Sequence, residues 1–238
     1  STVEEKESLY FAALNKLTET YPTHSNTSEV FYKMAVFLNQ RGDQSSKEDE
    51  TYRFEKKRAF ELCKQTIERF PESIGANLCK SLQNEILRKA VSFKTDYAIG
   101  PEQANKLQIQ YTNIDSLYFR VIPISWDYFI VSRYYHEELM EKLVKLKSEK
   151  SWSVKLKDFE DYQAHSALTV LPEMPKGHYL ILASPDKNFA IKTNAIAHTT
   201  YWSTELTLLK RQADENSMHY TVLNRLTGEP IKGAQIQI

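Results

Sequence analysis

Apolar side chains recur at every third or fourth position along the first hundred residues, the spacing of amphipathic helices. In "EEKESLYFAALNKLTETYP", Leu9, Ala13, Leu17 and Tyr21 share one face, and Pro22 ends the segment. "NTSEVFYKMAVFLNQRG" groups Phe31, Met34, Ala35 and Leu38, with Asn26 and Glu29 as a capping box and Gly42 as the stop. After the polar stretch "DQSSKED", "TYRFEKKRAFELCKQTIERFP" directs Phe60, Cys63, Ile67 and Phe70 inward. "SIGANLCKSLQNEILRKAV" does the same with Leu78, Leu82, Ile86 and Ala90. Four helices in two pairs are expected, each pair carrying a helix that ends in proline ("ETYP", "ERFP"), a self-similar period of about fifty residues that suggests stacked helical hairpins.

From about Lys106 the apolar period changes to two. "LQIQYTNI" alternates Leu107, Ile109 and Tyr111 with glutamine and threonine. "SLYFRVIPI", "SWSVKLKD", "ALTVL", "GHYLILAS", "FAIKTNAIAHTT", "STELTLLKR" and "HYTVLNR" follow, separated by turn residues, and together predict an antiparallel β-sandwich. The last residues, Ala234, Ile236 and Ile238 against Gln235 and Gln237, read as one more half-buried strand. The linker is "KTDYAIGPEQAN", broken at Gly100–Pro101. One helical pattern interrupts the strands: Tyr135, Leu139, Leu143 and Leu146, with Glu138/Lys142 and Glu141/Lys145 pairs four apart. It is expected to lie as a lid on one sheet, with a partner-binding helix as the alternative. The expected division is therefore a helical domain over 1–100 and a sandwich over 101–214 with a helical insertion around 126–148. Residues 215–238 supply its last strands or the start of a following domain.

Composition narrows the function classes. The chain has 238 residues, 41% hydrophobic and 26% charged, with 31 basic and 31 acidic side chains and zero net charge. The basic excess on which nucleic-acid binding by counterion release depends is absent. No apolar run is long enough for a membrane span.

Candidate chemistry is sparse. Cys63 and Cys79 both fall in amphipathic helical patterns and read as buried free thiols or, alternatively, as a disulfide between adjacent helices. "HEELM" misses the zinc-protease motif because Met140 stands where the second imidazole would be, which leaves His136 and Glu137 as a surface pair. His24, His165, His178, His198 and His219 show no ligand spacing, and six glycines leave little room for a phosphate loop. Asp158, Glu160 and Asp161 read as solvated or capping charge, with calcium binding as the minor alternative. Asn26 opens a glycosylation sequon that matters only in a eukaryotic secretory route. No catalytic, cofactor-binding or metal-ligating set is expected.

Two resemblances follow. Ala59 and Pro71 stand where the second helix of a tetratricopeptide repeat has its small residue and terminal proline, although Cys63 and Thr66 depart from the pattern, so the helical segment is tetratricopeptide-like. "VLNRLTGEPIKGAQIQI" resembles the strand–turn–strand that opens a macroglobulin domain in alpha-2-macroglobulin-like proteins, through Arg225, Thr227, Gly228, Pro230, Gly233 and Ala234. "LPEMPKGHYLILAS" resembles that family's recurrent hairpin through Pro175, Gly177 and Tyr179. The resemblance covers about 105–238, and in the large bacterial members, especially those resembling Bacteroidetes proteins, a helical repeat segment can precede the first macroglobulin domains. It implies an N-terminal piece of a longer periplasmic or outer-membrane-anchored protease trap (an endopeptidase inhibitor), whose partners are its own further domains and, through the full-length protein, proteases. The thioester motif of that family is not matched by "CKQT" or "CKSL", so a non-catalytic structural role without cofactors is implied. Two other readings compete: a helical-repeat scaffold binding a peptide or protein, and a carbohydrate-binding surface built on Trp126, Trp152 and Trp202.

Overall fold

The computed structural model describes residues 3–46, 48–125, 137–191, 195–214 and 217–236. It contains helices followed by sheets that are antiparallel in all but one recorded pairing. The chain forms two compact units: Ser1–Ala90 with Thr112–Ile114 and Lys157–His165, and Val91–Tyr111 with Asp115–Leu156 and Ser166–Ile238. The helical unit thus ends ten residues earlier than the spacing alone predicts, and it recruits two later segments.

In the helical unit, α1 spans Val3–Thr20, α2 Thr27–Gly42, α3 Glu55–Arg69 and α4 Ile74–Ile86. Helices α2, α3 and α4 pack on one another, and α1 packs on α2. Ala35, Leu38, Ala59, Cys63, Cys79, Leu82 and Ile86 form the buried centre. Small residues dominate because the helices approach closely. At Gly75 an added Cβ would lie 2.2 Å from the backbone carbonyl carbon of Ser28.

Several local expectations are corrected. The Leu9–Ala13–Leu17–Tyr21 face of α1 points outward, with Leu9 68% and Tyr21 58% exposed. Phe11 turns inward instead, 5.4 Å from Phe37, because its large ring, with Leu14 and Thr18 on the same side, fits the α2 surface better than an alanine-centred stripe. Asn26 is helical in conformation and makes no capping bond, so no capping box forms. Thr27 and Ser28 instead donate their hydroxyls to the carbonyls of Tyr21 and Ser25. Helix α4 stops at Ile86; Leu78 is exposed, and Ala90 is exposed and opens a strand.

That strand, β1 (Ala90–Lys94), and the short β2 (Ala98–Ile99) occupy sequence expected to be helix and linker. The others are β3 (Asn105–Thr112), β4 (Ser116–Pro123), β5 (Lys150–Lys155), β6 (His165–Leu171), β7 (Gly177–Ser184), β8 (Ala197–Ser203), β9 (Leu206–Asp214) and β10 (Ser217–Asn224). One sheet has the order β1-β3-β6, a second β2-β8-β7-β4-β5, and β9 with β10 forms a separate hairpin. Only β2 runs parallel to its neighbour among the recorded pairs. Strand β3 buries Leu107, Ile109 and Tyr111 while its lysine and glutamines stay outside, as period two requires. Phe93 of β1 meets Phe119 of β4 edge-on at 5.9 Å, and Trp152, opposite Phe119 on β5, stacks on it at 4.8 Å.

Strand β7 is apolar from Tyr179 to Ala183 because both of its faces are covered. Tyr179 stacks on Tyr201 of β8 on one side. Leu180 and Leu182 on the other side join Ile122, Phe189 and Leu143 of helix α5 (Glu137–Leu143), with Met140, Val144 and Leu146 beside them. The first part of the expected insertion, including Trp126, Tyr135 and His136, lies outside the described residues. The strand expected over "FAIKTNAIAHTT" begins only at Ala197, and Phe189 sits in a turn with φ +57°. Residues 231–236 are not a strand: after the single bridge Leu223–Pro230, no neighbouring strand is recorded for Ala234 or Ile236 among the described residues.

Candidate functional site

The helical unit holds the densest polar constellation, built where the segment 157–165 lies on α2 and α3. Asp161 is at its centre, with a side chain only 2% exposed. One carboxylate oxygen accepts from Arg53 Nε at 2.8 Å. The other faces His165 Nε2 at 2.8 Å and accepts from the Gln163 backbone N–H at 3.1 Å. Burial alone would raise the Asp161 pKa, but the bonds from His165, Arg53 and Gln163 outweigh it and hold the carboxyl below the ordinary range. The residues on either side, Glu160 and Tyr162, both take positive φ (+53° and +58°), which lets Asp161 point inward between them. Tyr162 enters the helical core against Phe60 at 5.3 Å.

The expected acidic cluster is therefore divided among separate partners. Asp158 accepts from the Glu160 backbone, Glu160 pairs with Lys57 at 3.0 Å, and Asp161 pairs with Arg53 and His165. Among the described residues no group of three or more His, Cys, Asp or Glu side chains is placed to hold a metal ion.

Two amides complete the unit. Gln163 Nε2 donates to the carbonyls of Gly42 (2.9 Å) and Arg53 (3.2 Å), and Asn113 Nδ2 donates to those of Ile86 (2.7 Å) and Arg88 (3.1 Å). Gln163 thus caps the last carbonyl of α2 and ties it to the entry of α3, and Asn113 satisfies carbonyls at and just beyond the end of α4, which the helices leave without internal partners. Asn113 reaches its place through φ +56°, a conformation asparagine tolerates better than most residues. Beside these caps lies an open polar groove of about 470 Å³, bordered by Asn39, Lys56, Arg88, Thr112 and Tyr162 and spanned by the Lys56–Asp43 ion pair at 2.8 Å.

The remaining candidates are dispersed. Cys63 and Cys79 are free, fully buried and side by side. His24 Nδ1 accepts from the Asn26 backbone in the α1–α2 turn. His178 is buried and stacked on Trp202 at 4.1 Å, and desolvation lowers its pKa, which keeps it neutral at pH 7. His198 and His219 lie on β8 and β10. Of the three tryptophans considered for sugar binding, Trp152 is packed on Phe119, while Trp202 donates its ring N–H to Tyr97. Asn113, Gln163 and Gly75 were not marked by any spacing. Their partners are distant in sequence, and only a turn-forming "TNID" hints at the first.

No protein-family model matches the chain, and no curated protein sequence does. Solved structures give loose likenesses. A crystal structure of a CARDB domain from Pyrococcus furiosus, in complex with di-metal ions, is 14% identical, covers 49% of this chain and 88% of its own, and has a TM-score of 0.29. The solution structure of the same domain gives 12%, 49%, 94% and 0.27. The Pseudomonas fluorescens alkylpurine DNA glycosylase AlkC, bound to DNA with an abasic-site analog, is 8% identical over 71% of this chain and 51% of its own, with a TM-score of 0.26. Likenesses this loose carry no functional inference. Among the described residues, no helix is long and apolar enough to cross a membrane.

Proposed function

We propose that this chain is a non-catalytic structural segment of a large alpha-2-macroglobulin-like protease trap, with tetratricopeptide-like helical hairpins preceding macroglobulin-type β-modules, in the periplasm or on the surface of a Gram-negative bacterium. The observation that carries this reading is the β9–β10 hairpin. Its register places Leu206, Leu208, Tyr220, Val222 and Met218 on one face, and Leu206 and Leu208 are 50% and 54% exposed. A lone two-stranded ribbon with such a face is marginal in water and suits burial against a second β-layer, as in a tandem of β-modules. The turn that follows has the Thr-Gly-x-Pro mechanics of the resemblance. Asn224 Oδ1 accepts from the backbones of Leu226 and Thr227, and Gly228 takes φ +73°.

The test uses the parent polypeptide that the reading requires. Mixed with a peptidase, it is expected to block digestion of protein substrates while small peptide substrates are still cleaved, and the 238-residue chain alone is expected to leave both activities unchanged. Inhibition or turnover by this chain alone, or a parent with no effect on protein digestion, rejects the reading. A second reading, a helical scaffold that binds a peptide, rests on the 470 Å³ groove at Lys56 and Arg88. Saturable binding of a peptide library to this chain, abolished by R88E, would favour it.

A further inference from the structure

The chain's two cysteines meet inside the helical core. Cys63 on α3 and Cys79 on α4 are both 0% exposed and lie in the same buried cluster, with Ala59 and Leu82, where the two helices pack. The neighbouring Cys79 thiol and burial push the Cys63 thiol far above its ordinary pKa, and both side chains are sealed from solvent in the folded state. Chemistry at this pair therefore belongs to folding, before the core closes. With no third cysteine, one connectivity exists.

We propose that Cys63 and Cys79 are a modification site, closed as a disulfide that staples α3 to α4 when the chain folds in an oxidising compartment. The electron acceptor is a disulfide of the glutathione class. The two thiols give up two protons and two electrons, one sulfur–sulfur bond forms between the helices, and one glutathione disulfide is cleaved to two glutathione thiols. The two sulfurs close to a bond of about 2 Å. The staple encloses a loop of about 15 residues, and closing it removes open conformations from the unfolded chain. This inference does not depend on the protease-trap reading.

The reduced, urea-denatured full chain is refolded in a mixture of reduced and oxidised glutathione, quenched in acid, alkylated in denaturant and weighed intact. The expected product takes up no alkyl group and weighs about 2 Da less than the reduced chain. It melts on the order of 10 °C higher than the same chain held in reductant. C63S and C79S are each expected to carry one thiol that is alkylated or capped by glutathione. Two alkylated thiols, or glutathione adducts on both cysteines of the refolded wild-type chain, would overturn the proposal. Because the wild-type chain is compared with itself in two redox states, the result stands even if a variant fails to fold.

Discussion

Replacing Gly75 with alanine places a methyl group where the backbones of two helices already touch. The new carbon would lie 2.2 Å from the Ser28 carbonyl carbon, 2.3 Å from its oxygen and 2.5 Å from the Glu29 nitrogen. Ordinary carbon contacts need about 3.5–4 Å, so α2 and α4 must separate by on the order of 1 Å. None of the three atoms belongs to a side chain that can rotate away. Overpacking of this kind costs about 1–3 kcal/mol. Separation would also loosen Ala76 and Cys79, which are fully buried in the same unit. Alanine's better helix propensity returns at most about 1 kcal/mol, and less in the first turn of α4. A net loss of about 2 kcal/mol is expected. Urea titrations followed by the far-ultraviolet helical signal should show a lower midpoint for G75A at an unchanged slope. G228A is the control: nothing lies within 4 Å of its added Cβ, and the strain of φ +73° falls on the hairpin turn, outside the helical unit. It should leave the helical midpoint in place. A G75A midpoint at or above wild type would refute the close-approach argument.

Two further substitutions test the segments that complete the helical unit. D161N keeps the shape of the side chain but removes the charge facing Arg53 and His165, and is expected to cost about 2 kcal/mol near pH 7. Because the Asp161 pKa is lowered on folding, its contribution is present above the unfolded value of about 4 and is lost as pH falls through the folded value. The gap between wild type and D161N, read from urea midpoints, should therefore close in acid; a constant gap down to pH 2 would contradict it. N113A leaves the carbonyls of Ile86 and Arg88 without their amide donor and should lower stability by about 1 kcal/mol, with faster amide exchange at the end of α4 as the readout.

Helices α2 and α3 were legible because strong apolar faces coincide with local stop signals, Gly42 at the end of α2 and a proline after α3, whereas α4 was legible as a helix but not in its end, which the expected face carried on to Ala90. Helix α1 was legible as a helix but not in its rotation. Two apolar stripes compete on it, and the choice of Phe11 over Leu9 and Leu17 is made by the shape of α2, which no local pattern encodes. Strand β1 was hidden for a related reason. "RKAVSFK" continues the fourfold rhythm through Ala90, and only pairing with β3 makes it extended. Alternation at β3 and the unbroken apolar run of β7 pointed correctly to strands, with the run reflecting cover on both faces. Least legible was the 157–165 segment. Its acids suggested solvated charge, whereas Asp161 finds Arg53 at a separation of 108 residues. A carboxylate's partner at that distance leaves no trace in spacing.

The path of the backbone carries one more consequence. The chain passes between the two units five times, at 90/91, 111/112, 114/115, 156/157 and 165/166. No single cut yields two finished pieces. A protein ending after α4 would lack Asn113, Asp161, Tyr162 and Gln163, and with them two helix caps and a core aromatic. Gene shuffling that moved the helices as an independent cassette would deliver them incomplete, so these two parts are expected to travel together through evolution as a single heritable block.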